Sequence, residues 1–245
     1  MRQQNLASLR SSALNFIDSC QYNDNSFRLT PNSDVSPYAL CFAIFNYHLL
    51  GSFSHLSKHK TEWVSTLIDN FNSYISLNSS NLYSKPVLQL QTFTLSALSI
   101  LGALDDKPLR SFSMKFLSFN ISNYLDNFLT SRGAPKSGNM AMFLAINLLY
   151  LRDFLGIDTT KSIYQWTNYH LNSRNRFGLW GPNTFSHLQF QNGYHQYEIF
   201  NYLGLVPSDC SYISKPILDL SDINGHFAPY PGGGGCYDYD AVSLI

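Results

Sequence analysis

Apolar residues recur along this chain at helical spacing, segment after segment. Trp63–Leu77 is the clearest case: Val64, Leu67, Ile68, Phe71, Tyr74 and Ile75 form one stripe. Such a stripe marks an amphipathic helix with one face on a core. Ala7–Cys20 (Leu9, Leu14, Phe16, Ile17), Leu109–Leu129 and Ile163–Leu171 repeat the pattern. A second kind of segment is apolar almost all round: Tyr38–Leu50, Val87–Leu104 and Met140–Leu155. A helix of that kind is buried on every side. Tyr194–Leu203 is mixed and aromatic, Ile213–Leu220 is short, and Asp238–Ile245 opens a last apolar run. No stretch sustains the alternation of a half-buried strand. The pattern predicts an all-α protein.

The two kinds of helix alternate. A breaker precedes each buried one: Ser36-Pro37, Lys85-Pro86, Gly138-Asn139, Gly193 and Gly235. These breakers recur at about 40 to 55 residues, the period of a helical repeat. The loops repeat as well. Asn25–Arg28, Asn81–Tyr83, Arg176–Trp180 and Asn224–Phe227 each set an aromatic after a polar or small residue, and Ser131–Pro135 keeps the breakers without the aromatic. We read about five helical hairpins in one domain over residues 1–245, with the apolar helices inside. Hairpins stacked this way form an open solenoid or close into an α/α toroid. Fully apolar inner helices favour the closed ring. The run after Asp238 reaches Ile245 with no Gly, Asn or basic cap behind it. The expectation is therefore a natural domain that continues, leaving the toroid incomplete here.

Composition removes several classes. Of the 245 residues 44% are hydrophobic and only 13% charged, about half the usual charged share. Disordered chains show the reverse balance. The net charge of +0 gives no electrostatic footprint for nucleic acid. The most apolar run, Met140–Leu151, falls short of the roughly 20 residues of a membrane span. The N-terminus, Met1-Arg2-Gln3-Gln4-Asn5, lacks the apolar stretch of a signal peptide. Cys20, Cys41, Cys210 and Cys236 form no CxxC pair. Together these place the chain in the cytoplasm, with a small-molecule or lipid-like substrate as the expected partner.

Asn224-Gly225-His226-Phe227, then Gly232–Gly235, then Cys236-Tyr237-Asp238-Tyr239-Asp240-Ala241-Val242 resembles a repeat of the terpenoid cyclase and protein prenyltransferase superfamily. That superfamily implies the α/α toroid. It also implies two chemistries. Class II cyclases protonate an olefin from a D-x-D-D run. Here Asp238-Tyr239-Asp240-Ala241 places Asp240 at the third position and lacks the fourth acid. Prenyltransferases hold zinc through Asp-x-Cys and a later His. Here Cys236-x-Asp238 has the reverse order, and His195 and His226 come earlier. The resemblance thus names Cys236 and Asp238 as candidate zinc ligands.

The residues themselves offer further candidates. Asp238 and Asp240 open the last inner helix, where Asp caps free N–H groups and complements the dipole. Lining a cavity, the same pair would serve as acid groups with raised pKa. His195 and Glu198 lie three apart and share a helix face, so a general base oriented by a carboxylate is one reading and a structural pair the other. Tyr194 and Tyr197 share a face with Glu198. Trp180, Phe227, Tyr230, Tyr237 and Tyr239 form an aromatic rim, either for cations or sugars or as plain packing. Gly232–Gly235 is a flexible loop or a phosphate cradle. Arg132 and Lys136 would meet an anionic group, or are a solvated turn. In a toroid the loops entering the inner helices meet at one end, so Arg132, Asn139, His195, Glu198, Cys236, Asp238 and Asp240 would approach one cavity. Three functions follow: an enzyme on an isoprenoid or other hydrophobic substrate, a carbohydrate-active lyase or hydrolase, and a non-catalytic binding toroid.

Overall fold

The computed structural model describes residues 2–104, 107–207, 213–230 and 234–245. Among them are eleven α-helices, three short 3₁₀ turns and one two-stranded hairpin. The chain is all-α, as its periodicity predicts. Its contacts divide it into two compact units, Met1–Phe112 and Ser113–Ile245.

The first unit holds α1 (Arg2–Ser19), the hairpin β1 (Gln21–Asn23) and β2 (Ser26–Phe27), α2 (Pro37–Leu49), α3 (Phe53–Leu77) and α4 (Lys85–Ile100). α5 (Lys107–Met114) runs across the boundary. The Pro breakers act as helix starts. Pro37 fills the first turn of α2, and Ser36 Oγ accepts the Tyr38 N–H at 3.3 Å. Proline suits that position because its missing N–H would have had no helical partner. α2 lies against both α3 and α4. Trp63, Phe71, Ile44, Leu88 and Leu98 are fully buried between them. Phe27 reaches in from the hairpin, 5.8 Å from Trp63 ring to ring, and Trp63 Nε1 donates to the Asp24 carbonyl at 2.9 Å.

The second unit holds a 3₁₀ turn (Lys115–Ser118), α6 (Ile121–Asn127), α7 (Ser137–Asp153), α8 (Thr160–Asn172), α9 (His187–Tyr202), α10 (Ser214–Leu218) and α11 (Gly235–Leu244). α7 is buried nearly all round. α9 lies along α7 on one side and along α11 on the other, while α8 packs on α6 and α7. Trp166 of α8 donates from Nε1 to the Ala141 carbonyl at 2.9 Å. No helix among the described residues is long and apolar enough to cross a membrane.

Three expectations need correction. The hairpin at 21–27 is strand, too short for its period to show. The helix expected over 109–129 is three pieces. The chain extends at Phe119 (φ −77, ψ 135), and Asn120 starts a new helix by accepting the Asn123 N–H at 3.0 Å. Gly193 does not break a helix, since α9 begins at His187 with Ser186 as its cap. Gly193 is there for space: a Cβ would sit 2.5 Å from Leu179 Cδ2. Gly138 has the same role at the start of α7, where a Cβ would collide with the Asn192 backbone.

Candidate functional site

Residues of α7, α9 and α11 converge in the second unit. The close approach of α7 to α9 at Gly138 is fastened by one side chain. Asn192 accepts the Gly138 N–H at 3.1 Å and donates to the Gly133 and Ala134 carbonyls at 3.2 and 3.1 Å. Beside this clamp, Asn139 Nδ2 of α7 donates to His195 Nε2 of α9 at 2.7 Å. The loop entering α7 has left-handed backbone at two non-glycine residues, Leu129 (φ 52) and Lys136 (φ 71). Arg132 and Lys136 are both exposed on it.

One turn further along α9, Glu198 faces α11. Asp240 lies opposite, only 4% exposed. Burial, reinforced by the Glu198 charge, pushes the Asp240 carboxyl up to about 7. Burial also raises Glu198. A like charge and a poor solvent both penalise ionisation, which is why Asp240 holds its proton above the ordinary carboxyl range. Tyr194 stands over the pair. Its ring meets Tyr239 edge-on at 5.4 Å. Burial, a hydrogen bond with Tyr239 and the two carboxylates all raise its hydroxyl pKa. Tyr194, Tyr197, Glu198 and Asn201 of α9, with Ser243 and Leu244 of α11, line a hollow of about 230 Å³.

The other candidates, Tyr197 of the hollow apart, lie elsewhere. Asp238 closes a turn: Oδ1 accepts the Phe227 N–H at 2.7 Å, and Oδ2 meets His226 Nδ1 at 3.1 Å. The Phe227 N–H, then His226, lower its pKa. Asp238 and His226 therefore tie the preceding loop to α11. Trp180 is fully buried, its Nε1 donating to the His170 carbonyl at 2.9 Å. It is a core residue with no face left for a ligand. Tyr197 is 7% exposed and donates to the Gly178 carbonyl at 2.6 Å. Tyr237 sits among Phe190, His187 and Tyr230 at the start of α11. Cys236 is an exposed free thiol. Among the described residues, no three His, Cys, Asp or Glu side chains come together to hold a metal ion, so none of them joins Cys236 and Asp238 in a zinc-like set. Gly232 and Gly233 of the glycine run, and Cys210, lie outside the described residues.

Sequence spacing brought His195 and Glu198 to one stretch of helix, but they serve different neighbours. His195 turns to α7 and Glu198 to α11. The Tyr194–Tyr239 contact and the Asn192 clamp were missed. The signal for the clamp was a polar residue just before Gly193, inside what turned out to be helix. The chain matches no family model, no curated protein and no solved structure.

Proposed function

We propose that this protein is an acid–base enzyme of the α/α-toroid type, acting on a polyhydroxylated, glycan-like substrate. The observation that carries the reading is the Glu198–Asp240 pair. Asp240, beside Glu198 but not itself among the residues lining the hollow, has its carboxyl pushed up to about 7 by burial and is the proton donor of the proposed reaction. Glu198, at the edge of the hollow and more exposed, is the base that activates water or removes a proton. Paired carboxyls of unequal environment suit cleavage of a glycosidic bond by hydrolysis or elimination. Tyr194 and Tyr239, the latter 61% exposed, supply a face for a sugar ring and hydroxyls to bind it. Asn139, Arg132 and Lys136 lie at the start of α7, with His195 of mid-α9 bonded to Asn139, and would bind substrate beyond the bond cleaved. The toroid rests on the order within each unit: α2 beside α4, and α7 beside α9 beside α11, with amphipathic helices packed against them.

The isoprenoid reading gains less support. A carbocation needs a dry cavity, and Glu198 opens to water. Zinc chemistry gains none from the residues around Cys236.

The test is a panel of oligosaccharides analysed by mass spectrometry, with carboxyl ¹³C NMR titration of the free protein. Cleavage should follow a bell in pH, its basic limb near 7 from Asp240 and its acidic limb from Glu198. Asp240→Asn and Glu198→Gln should each cut turnover by about 10²–10⁴-fold. A normal carboxylate titration at Asp240, with no cleavage or binding of any glycan, would overturn the proposal.

A further inference from the structure

The first unit carries a second hollow, of about 200 Å³, between α1, α2 and the residues that follow β2. Ala13 and Phe16 of α1, Leu29, and Ala39, Phe42 and Ala43 of α2 form its apolar walls. Three of these large side chains are left in water: Phe16 is 54% exposed, Leu29 49% and Phe42 38%. Apolar groups clustered around a concavity mark a binding place, whereas single ones scattered on a surface do not.

The one charged group lining it is Arg28. Its guanidinium is held in place on two sides. It lies over the Tyr22 ring at 4.6 Å, and Nη1 donates to the Pro31 carbonyl at 2.9 Å. A guanidinium has five N–H donors, so most of them remain for another group. No described carboxylate forms an ion pair with it. Asn46, the other polar lining residue, spends one amide N–H on the Phe42 carbonyl at 2.7 Å.

We propose that this hollow binds an amphiphilic carboxylate, a medium-chain fatty acid or an acid of the same form. The alkyl chain lies against Phe16, Phe42 and the three alanines, and the carboxylate meets Arg28. The charge selects the class: an apolar wall alone would take any hydrocarbon, whereas a fixed, unpaired guanidinium at its side favours an anionic head. A hollow of about 200 Å³ has room for a short alkyl chain. The site lies in a different unit from the Glu198–Asp240 pair and does not depend on what that pair does.

The experiment is an NMR titration of the full chain with hexanoate, octanoate, 1-octanol and octyltrimethylammonium, with circular dichroism on each variant. Octanoate should shift amides of α1 and α2. Affinity should rise about fourfold per methylene from hexanoate to octanoate, and the ammonium should bind at least tenfold more weakly than octanoate. Arg28→Gln should weaken octanoate about tenfold and leave octanol unchanged. Ala13→Phe, which fills the hollow from a half-buried position, should abolish both. Octanoate binding no tighter than octyltrimethylammonium, or undiminished in Arg28→Gln, would overturn the choice of ligand. Undiminished binding in folded Ala13→Phe would overturn the site.

Discussion

A carboxyl that stays protonated to neutral pH makes folding sensitive to base. Below about pH 4, Asp240 is protonated both folded and unfolded and adds nothing. From there to about 7 the unfolded chain releases the proton while the folded one keeps it, so stability falls as pH rises. Above 7 the whole penalty applies, on the order of 2–4 kcal/mol. Asp240→Asn should therefore melt higher than the parent at pH 8 and at the same temperature at pH 4. Equal melting at pH 8 would show that Asp240 is not strained by its surroundings. Asn192 acts in the opposite sense. Replacing it by Leu leaves the Gly138 N–H and the Gly133 carbonyl without their partner, while the Ala134 carbonyl keeps the Ser137 N–H at 3.0 Å. The change should cost about 3 kcal/mol in urea unfolding. Asp240 was legible in the sequence because an acid in the first turns of an apolar helix has few explanations. Asn192 was not, because its three hydrogen bonds go to residues more than fifty positions away.

At the scale of elements, the 3.6-residue period located nearly every helix. It works because each helix must present an apolar face to a neighbour, and α3, α7 and α8 do so without interruption. It failed where local chemistry outweighed the pattern. The apolar positions of 109–129 continue through Phe116 and Ile121, both buried, so periodicity alone runs across the break. The break itself is made by the Asn120 cap. Asn120→Ala should cost about 1 kcal/mol and loosen α6, readable as faster amide exchange over 121–127. The hairpin was illegible for another reason. Its strands are three and two residues long, and it is fixed by tertiary contacts, above all Trp63 Nε1 to the Asp24 carbonyl.

For the whole molecule, the repeat period predicted a succession of hairpins, and contacts gather them into two units that meet between Phe112 and Ser113. No sequence period marks that division, because it depends on which hairpins share side chains. Two cooperative units should separate in calorimetry, giving a calorimetric enthalpy larger than the van't Hoff value. A ratio of one would mean that they unfold together. The loop into α7 sets a different balance for the molecule. Lys136 holds a left-handed backbone that costs an L-residue about 1–2 kcal/mol and a glycine almost nothing. Lys136→Gly should thus yield a hardier protein that lacks one exposed ammonium in the loop entering α7. Robustness and side-chain chemistry pull that position in opposite directions, which makes it a natural first choice for anyone wishing to trade one for the other.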